Sequence, residues 1–316
     1  MKKPSPSLLC FLLVFPGLLT SLLMAQPDAP LPRPAPLQIL CTTFPMHLFT
    51  RLVVEGRTGV EVKRMLPANT GCPHDYSLTP DDMRTLSRSN VIITNGLGME
   101  NFLGASVRQA NPKIKTVDSS KGMKNLIALQ GEEGHGAEAQ HHHDSAMNPH
   151  LFASPRQAAQ VVRNIALALS ELDPEGAVVY AANAQKVSAR FESLAEEFST
   201  VCAALPKKKI VTEHAVFDYL ARDAGLQIVA VVEEEPGQEP AASEMLKIVG
   251  TIRKSGAAVV FTEPQYPAKV AETIAREAKI PAASLDPVAS GPENAPLDYY
   301  EKTMRANLDV LKKFLK

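Results

Sequence analysis

Cysteine is scarce in this chain, with four among 316 residues. Cys10 falls in the apolar N-terminal stretch, which leaves Cys41, Cys72 and Cys202 in the body of the chain. Three thiols cannot all pair within one monomer. So sparse a set excludes a disulfide framework, and an ordinary apolar core must hold the fold. Neither sign of charge is in excess: 33 Lys and Arg stand against 34 Asp and Glu, for a net charge of −1. No basic stripe is offered to nucleic acid or to an anionic membrane. The chain has no H-E-x-x-H run and no G-x-S-x-G turn, two common marks of hydrolytic sites. An unbroken membrane-spanning run is missing too, because Pro16 and Gly17 separate Leu8–Val14 from Leu18–Met24.

That interrupted stretch follows Met1-Lys2-Lys3 and ends at the small residue Ala25, so residues 1–25 read as an export signal cleaved near Ala25. No cysteine stands at the cleavage point, as lipidation would require. We therefore expect a soluble exported protein, and a periplasm fits. Cleavage removes Lys2 and Lys3 and no acid, making the remainder two charges more negative than the whole chain. Residues 26–36 carry five prolines and predict an extended tether. From Leu37 short apolar runs alternate with helical segments, the pattern of a parallel sheet covered by helices. Strands are expected at 38–42, 60–66 and 91–94, and again at 210–212, 228–232, 259–262 and 282–285. Asp173-Pro174 breaks a long helical region, with Asp173 placed to cap and Pro174 to open a helix of some thirty residues.

The expected architecture is α/β in two lobes, each a mainly parallel sheet covered by helices, joined by one long rigid helix. The N-terminal lobe is assigned to residues 37–173, the linking helix to 174–205 and the C-terminal lobe to 206–316. Within the first lobe, residues 131–145 form a polar loop bearing His135, His141, His142 and His143. These imidazoles could gather metal weakly, or simply be solvated.

Four residues on connections can all be zinc ligands: His74, His150, His214 and Asp286. Three imidazoles and one carboxylate close a four-coordinate site for a borderline ion. If His74 and His150 come from the first lobe and His214 and Asp286 from the second, the metal sits in the inter-lobe cleft. Cys72 lies two residues before His74, and a C-x-H pair could bind a soft ion, but the set of four is already full and we take Cys72 as a small packed side chain. Glu213 is expected to point away from its neighbour His214, and Glu263 to orient a ligand histidine.

Several stretches carry a resemblance: P-H-D-Y-S-L-T-P-D-D, N-G-L-G-M-E-N-F-L, N-P-H-L-F-A-S-P, D-P-E-G-A-V-V-Y-A-A-N-A, H-A-V-F-D-Y-L-A-R-D-A-G-L, V-F-T-E-P-Q-Y, and L-D-P-V followed by Y-Y-E-K-T-M-R-A-N-L-D-V-L. In this order and spacing the chain, from about Leu37 to Lys316, resembles the zinc- and manganese-type solute-binding proteins of ABC importers, the ZnuA/TroA-like family. The resemblance implies that His74, His150, His214 and Asp286 hold the metal. It further implies a monomeric, non-enzymatic carrier that captures Zn2+ in the periplasm and delivers it to a membrane permease. Manganese or iron delivery, with Mn2+ as the ion, is the nearest alternative, followed by a surface adhesin; a zinc hydrolase is more distant. Three motifs depart from the family pattern. Asn148 and Phe152 stand where Asp and Trp are usual, Pro73 where some zinc-type members have Glu, and Val288-Ala289 where Leu-Gly is usual.

Overall fold

Short apolar runs from Leu37 onward become the strands of two parallel sheets. The computed structural model describes residues 1–2, 35–73, 76–129, 146–233 and 240–316. The export signal beyond Lys2, the tether as far as residue 34, His74 and the histidine-bearing loop 131–145 lie outside the described residues.

The first sheet comprises β1 (Leu37–Cys41), β2 (Val60–Arg64), β3 (Val91–Thr94) and β4 (Lys115–Asp118), in the order β2-β1-β3-β4 with every pairing parallel. β3 is buried along its whole length, as a strand covered on both faces must be. β2 alternates Val with charged residues and lies at the edge, where exposed charge discourages pairing with another chain. α1 (Phe44–Val53), α2 (Pro80–Arg88) and the short α3 (Ser106–Ala110) connect these strands. α2 begins as its sequence demands. The Thr79 hydroxyl accepts from Asp82 N, the Asp82 carboxylate accepts from Thr79 N, and Pro80 takes the first turn, where its missing N–H costs nothing.

Two helices follow, α4 (Pro155–Leu172) and α5 (Ala177–Ala204). The 28 residues of α5 span about 42 Å at roughly 1.5 Å per residue. The second sheet repeats the plan of the first. Its strands are β5 (Lys209–Thr212), β6 (Gln227–Val231), β7 (Val260–Thr262) and β8 (Ala282–Ser284), in the parallel order β6-β5-β7-β8. α6 (Asp218–Ala224), α7 (Ala242–Ser255), α8 (Lys269–Ala278) and α9 (Tyr299–Phe314) complete the chain.

One apolar cluster joins the two halves. It contains Ile39, Ile93 and Val117 of the first sheet, Ile210 and Phe261 of the second, and Val187, Phe191, Leu194 and Phe198 of α5. At its centre Phe49 of α1, Phe191 of α5 and Tyr300 of α9 meet ring to ring, with centroids 4.5 to 5.6 Å apart.

Two local features depart from the sequence expectations. β4 was not expected as a strand, because only Val117 of its four residues is buried and it has no apolar run to declare it. Asp173 was expected to cap a helix starting at Pro174. Instead Pro174–Gly176 forms a 3-10 turn and α5 starts at Ala177. The Asp173 carboxylate accepts from Arg57 Nε and Nη2 at 3.0 Å each and from the Tyr180 hydroxyl at 2.6 Å, a charge-assisted fork that fixes it toward Arg57.

Candidate metal centre

In an open parallel sheet the strand order reverses at one point, leaving a crevice beyond the carboxyl ends of the two strands on either side. In the first sheet this point lies between β1 and β3, and the chain fills it with a carboxylate of its own. Glu100 accepts from Thr42 Oγ1 at 2.8 Å, Asn95 N at 2.7 Å and Gly96 N at 3.0 Å. In the second sheet the point lies between β5 and β7. His214 stands just past the end of β5, and Glu263 just past the end of β7.

His214 is 1 % exposed and Glu263 2 %. A Glu263 oxygen is in direct contact with His214 Nδ1, so the expectation that Glu263 orients a histidine is met. His214 Nε2 then faces the other way, 3.9 Å from Cys72 Sγ. Burial alone would lower the His214 pKa. Cys72 beside one ring nitrogen and Glu263 at the other outweigh it and lift the group to about 10. Glu213 is held away from the ring, as expected: its Oε2 accepts from Glu263 N at 2.8 Å, and burial pushes its carboxyl up to about 7.

His150 is 3 % exposed and precedes the 3-10 turn Leu151–Ala153 that leads into α4. Asn148 Oδ1 accepts from His150 N and lies 2.9 Å from both that nitrogen and His150 Nδ1. A backbone N–H can only donate, so the Asn148 atom is an oxygen and Nδ1 must donate to it as well. The lone pair of the neutral imidazole therefore sits on Nε2. The Asn148 amide nitrogen donates to Ala215 O at 2.7 Å and to Asp218 Oδ2 at 3.0 Å. This accounts for one departure from the family pattern. An Asp at position 148 would set a carboxylate against Asp218, whereas an amide can accept from His150 and donate to Asp218 at once. Asn148 thus ties the His150 segment to the residue that follows His214.

The two imidazole rings stand edge to face with centroids 5.1 Å apart. Among the described residues, one ligand atom each from Cys72, His150 and His214 lie within 4.8 Å of one another. Two of the four residues singled out from sequence are therefore brought together, and Cys72, taken there as a packed side chain, joins them. The signal that could have found it was the C-x-H spacing, which the already complete set of four overrode. Asp286 is not one of the three. Its Oδ1 accepts from Val288 N at 2.8 Å, while its backbone N and O both bond Asn307, at 2.9 and 2.7 Å. Burial raises its carboxyl pKa, and its charge raises that of Glu263, so it lies in the same neighbourhood.

Parallel strands, a crevice at the switch point and buried imidazoles with engaged Nδ1 atoms define a metal-binding α/β protein. The family model described as "Zinc-uptake complex component A periplasmic", ZnuA, matches residues 39–314, and the chain belongs to that family. It is 28 % identical over 280 residues to the high-affinity zinc uptake system protein ZnuA of Bacillus subtilis, covering 87 % of this chain and 86 % of that one. It is 29 % identical over 288 residues to the zinc-binding protein AdcA of Streptococcus pyogenes, covering 87 % of this chain and 55 % of AdcA; the chain spans about half the length of these AdcA relatives. Among solved structures, a crystal structure of ZnuA superimposes with a TM-score of 0.74 at 27 % identity, covering 89 % of this chain and all of that one.

Proposed function

We propose that this protein captures Zn2+ outside the cytoplasm and hands it to the permease of an ABC importer. The observation that carries this reading is the pair His150 and His214. Both are buried side by side at the crevice, and each has its Nδ1 engaged by a neighbouring oxygen. Histidines that ligate metals are typically oriented in this way, which presents Nε2 to the ion. His74, outside the described residues, is the third ligand that the resemblance implies, and Asp286 the fourth. Imidazoles favour zinc over hard ions that seek six oxygens. The family and the zinc-named relatives support zinc as cargo. They also support carriage rather than catalysis, and a site outside the cytoplasm fits the export signal read in residues 1–25. The chain acts as a monomer. Among the described residues, no helix is long and apolar enough to cross a membrane.

Calorimetric titration tests the capture. The mature chain should take up one tight equivalent of zinc, and His150→Ala or His214→Ala should each weaken it by about a hundredfold or more. Asp286→Ala should weaken it less, because water replaces one carboxylate oxygen more readily than a fixed imidazole. A chain that keeps its tight equivalent after both histidines are replaced refutes the reading.

A further inference from the structure

We propose that the Cys72 thiolate is a ligand of the captured ion, taking the coordination position that the family resemblance gives to Asp286. This rests on the metal-capture reading and specifies the donor set of that same site.

Distance is the first support. Zinc sits about 2.3 Å from a thiolate sulfur and about 2.0–2.1 Å from an imidazole nitrogen, so a sulfur and a nitrogen sharing one tetrahedral zinc stand about 3.6 Å apart. Cys72 Sγ and His214 Nε2 are 3.9 Å apart. A movement of a few tenths of an ångström closes the gap. Asp286, by contrast, spends one carboxylate oxygen on Val288 N and lies outside the three-residue cluster.

The second support is how Cys72 is aimed. The turn before it needs glycine: Gly71 has φ +73°, and a Cβ there would come within 2.8 Å of the Tyr266 hydroxyl. That hydroxyl oxygen accepts from Cys72 N at 3.0 Å. Tyr266 lies on the same connection after β7 as Glu263, three residues further on. One short loop thus positions two donors at once, Glu263 fixing the His214 ring and Tyr266 fixing the Cys72 backbone.

The chemistry balances without a further reagent. The S–H bond breaks as the sulfur–metal bond forms, and the proton leaves to water. A thiolate in place of a carboxylate makes the site softer, favouring zinc and other thiophilic ions over manganese.

The test loads the full mature chain with Co2+ as a spectroscopic substitute. We expect one equivalent to bind tetrahedrally with a sulfur-to-cobalt charge-transfer absorption in the near ultraviolet. Cys72→Ser and Cys72→Ala should abolish that absorption, and Asp286→Ala should keep it. Cys72→Ser should lower zinc affinity by about tenfold or more while changing manganese affinity by less than about threefold, narrowing the preference between the two ions. One tight cobalt in the unsubstituted chain without the sulfur absorption overturns the proposal and leaves metal capture standing. The proposal is likewise overturned if Asp286→Ala loses the tight equivalent while Cys72→Ser retains it. Failure of the unsubstituted chain to bind cobalt or zinc at all would overturn the capture reading itself.

Discussion

His214 is a histidine that an incoming cation must first deprotonate. Its folded pKa of about 10 lies above the ordinary imidazole value near 6.5. In the metal-free protein the stability this proton brings is therefore complete below about pH 6.5 and is lost as the pH rises toward 10. A metal competes with the proton across that window, so apparent zinc affinity should climb by about tenfold per pH unit for this proton alone from pH 6.5 upward instead of levelling off near 7. Competition with a chromophoric chelator between pH 6 and 9 measures this, and a plateau above pH 7 would contradict it. Glu263→Gln should bring the plateau down toward neutrality and weaken zinc by about 10- to 100-fold, since the oxygen that holds Nδ1 loses its charge. The sequence singled out His150, His214 and Glu263, which the fold brings together, because each sits in a motif after a recognisable strand or before a helix. It offered Cys72 only as one half of a C-x-H pair, because the Tyr266 hydroxyl that holds the Cys72 backbone stands 194 positions away. Nor did it show that Asn148 bridges two segments, which depends on Asp218 facing it across the fold.

At the scale of elements, strands and helices with a strong apolar pattern were legible and those held by tertiary context were not. β3 and α2 announce themselves, one by four apolar or β-branched residues in a row, the other by Thr79, Pro80 and Asp82 at its start. β4 exists because β3 needs a partner on its outer side, a demand no residue within Lys115–Asp118 expresses apart from Val117. The junction between α4 and α5 shows the same logic. Asp173 looks like a cap locally, yet Arg57 from beyond α1 claims it. The Arg57 guanidinium holds the Asp173 carboxyl below its usual range. A depressed carboxyl stabilises the fold fully above about pH 4 and loses that contribution as the pH falls further. Asp173→Asn should therefore lower the urea midpoint at pH 7, and the gap to the unsubstituted protein should shrink at pH 3. An undiminished gap at pH 3 would mean that the pair is not what joins α1 to the α4–α5 junction.

On the scale of the whole molecule, two sheets built to the same plan serve different ends. The first closes its crevice with Glu100, and the second leaves its own to the imidazole of His214. What unites them is the cluster around Phe49, Phe191 and Tyr300, to which the Tyr300 hydroxyl adds a bond to Phe152 O, two residues from His150. Phe191→Ala should cost about 3–5 kcal/mol, the usual toll for emptying a buried aromatic site. Because the ring touches both halves, the loss should appear as one earlier calorimetric transition rather than as the melting of one lobe before the other. Two separated transitions would show that the halves fold on their own. The shared cluster also bears on how long such a molecule endures outside the cytoplasm, where proteases meet it. Cleavage needs a segment to open, and for segments anchored in the shared cluster that opening draws on the packing of both halves. If the halves melt together, the lifetime of each copy follows the free energy of that shared opening, or its rate where cleavage outpaces reclosing, and a cut in either half ends both.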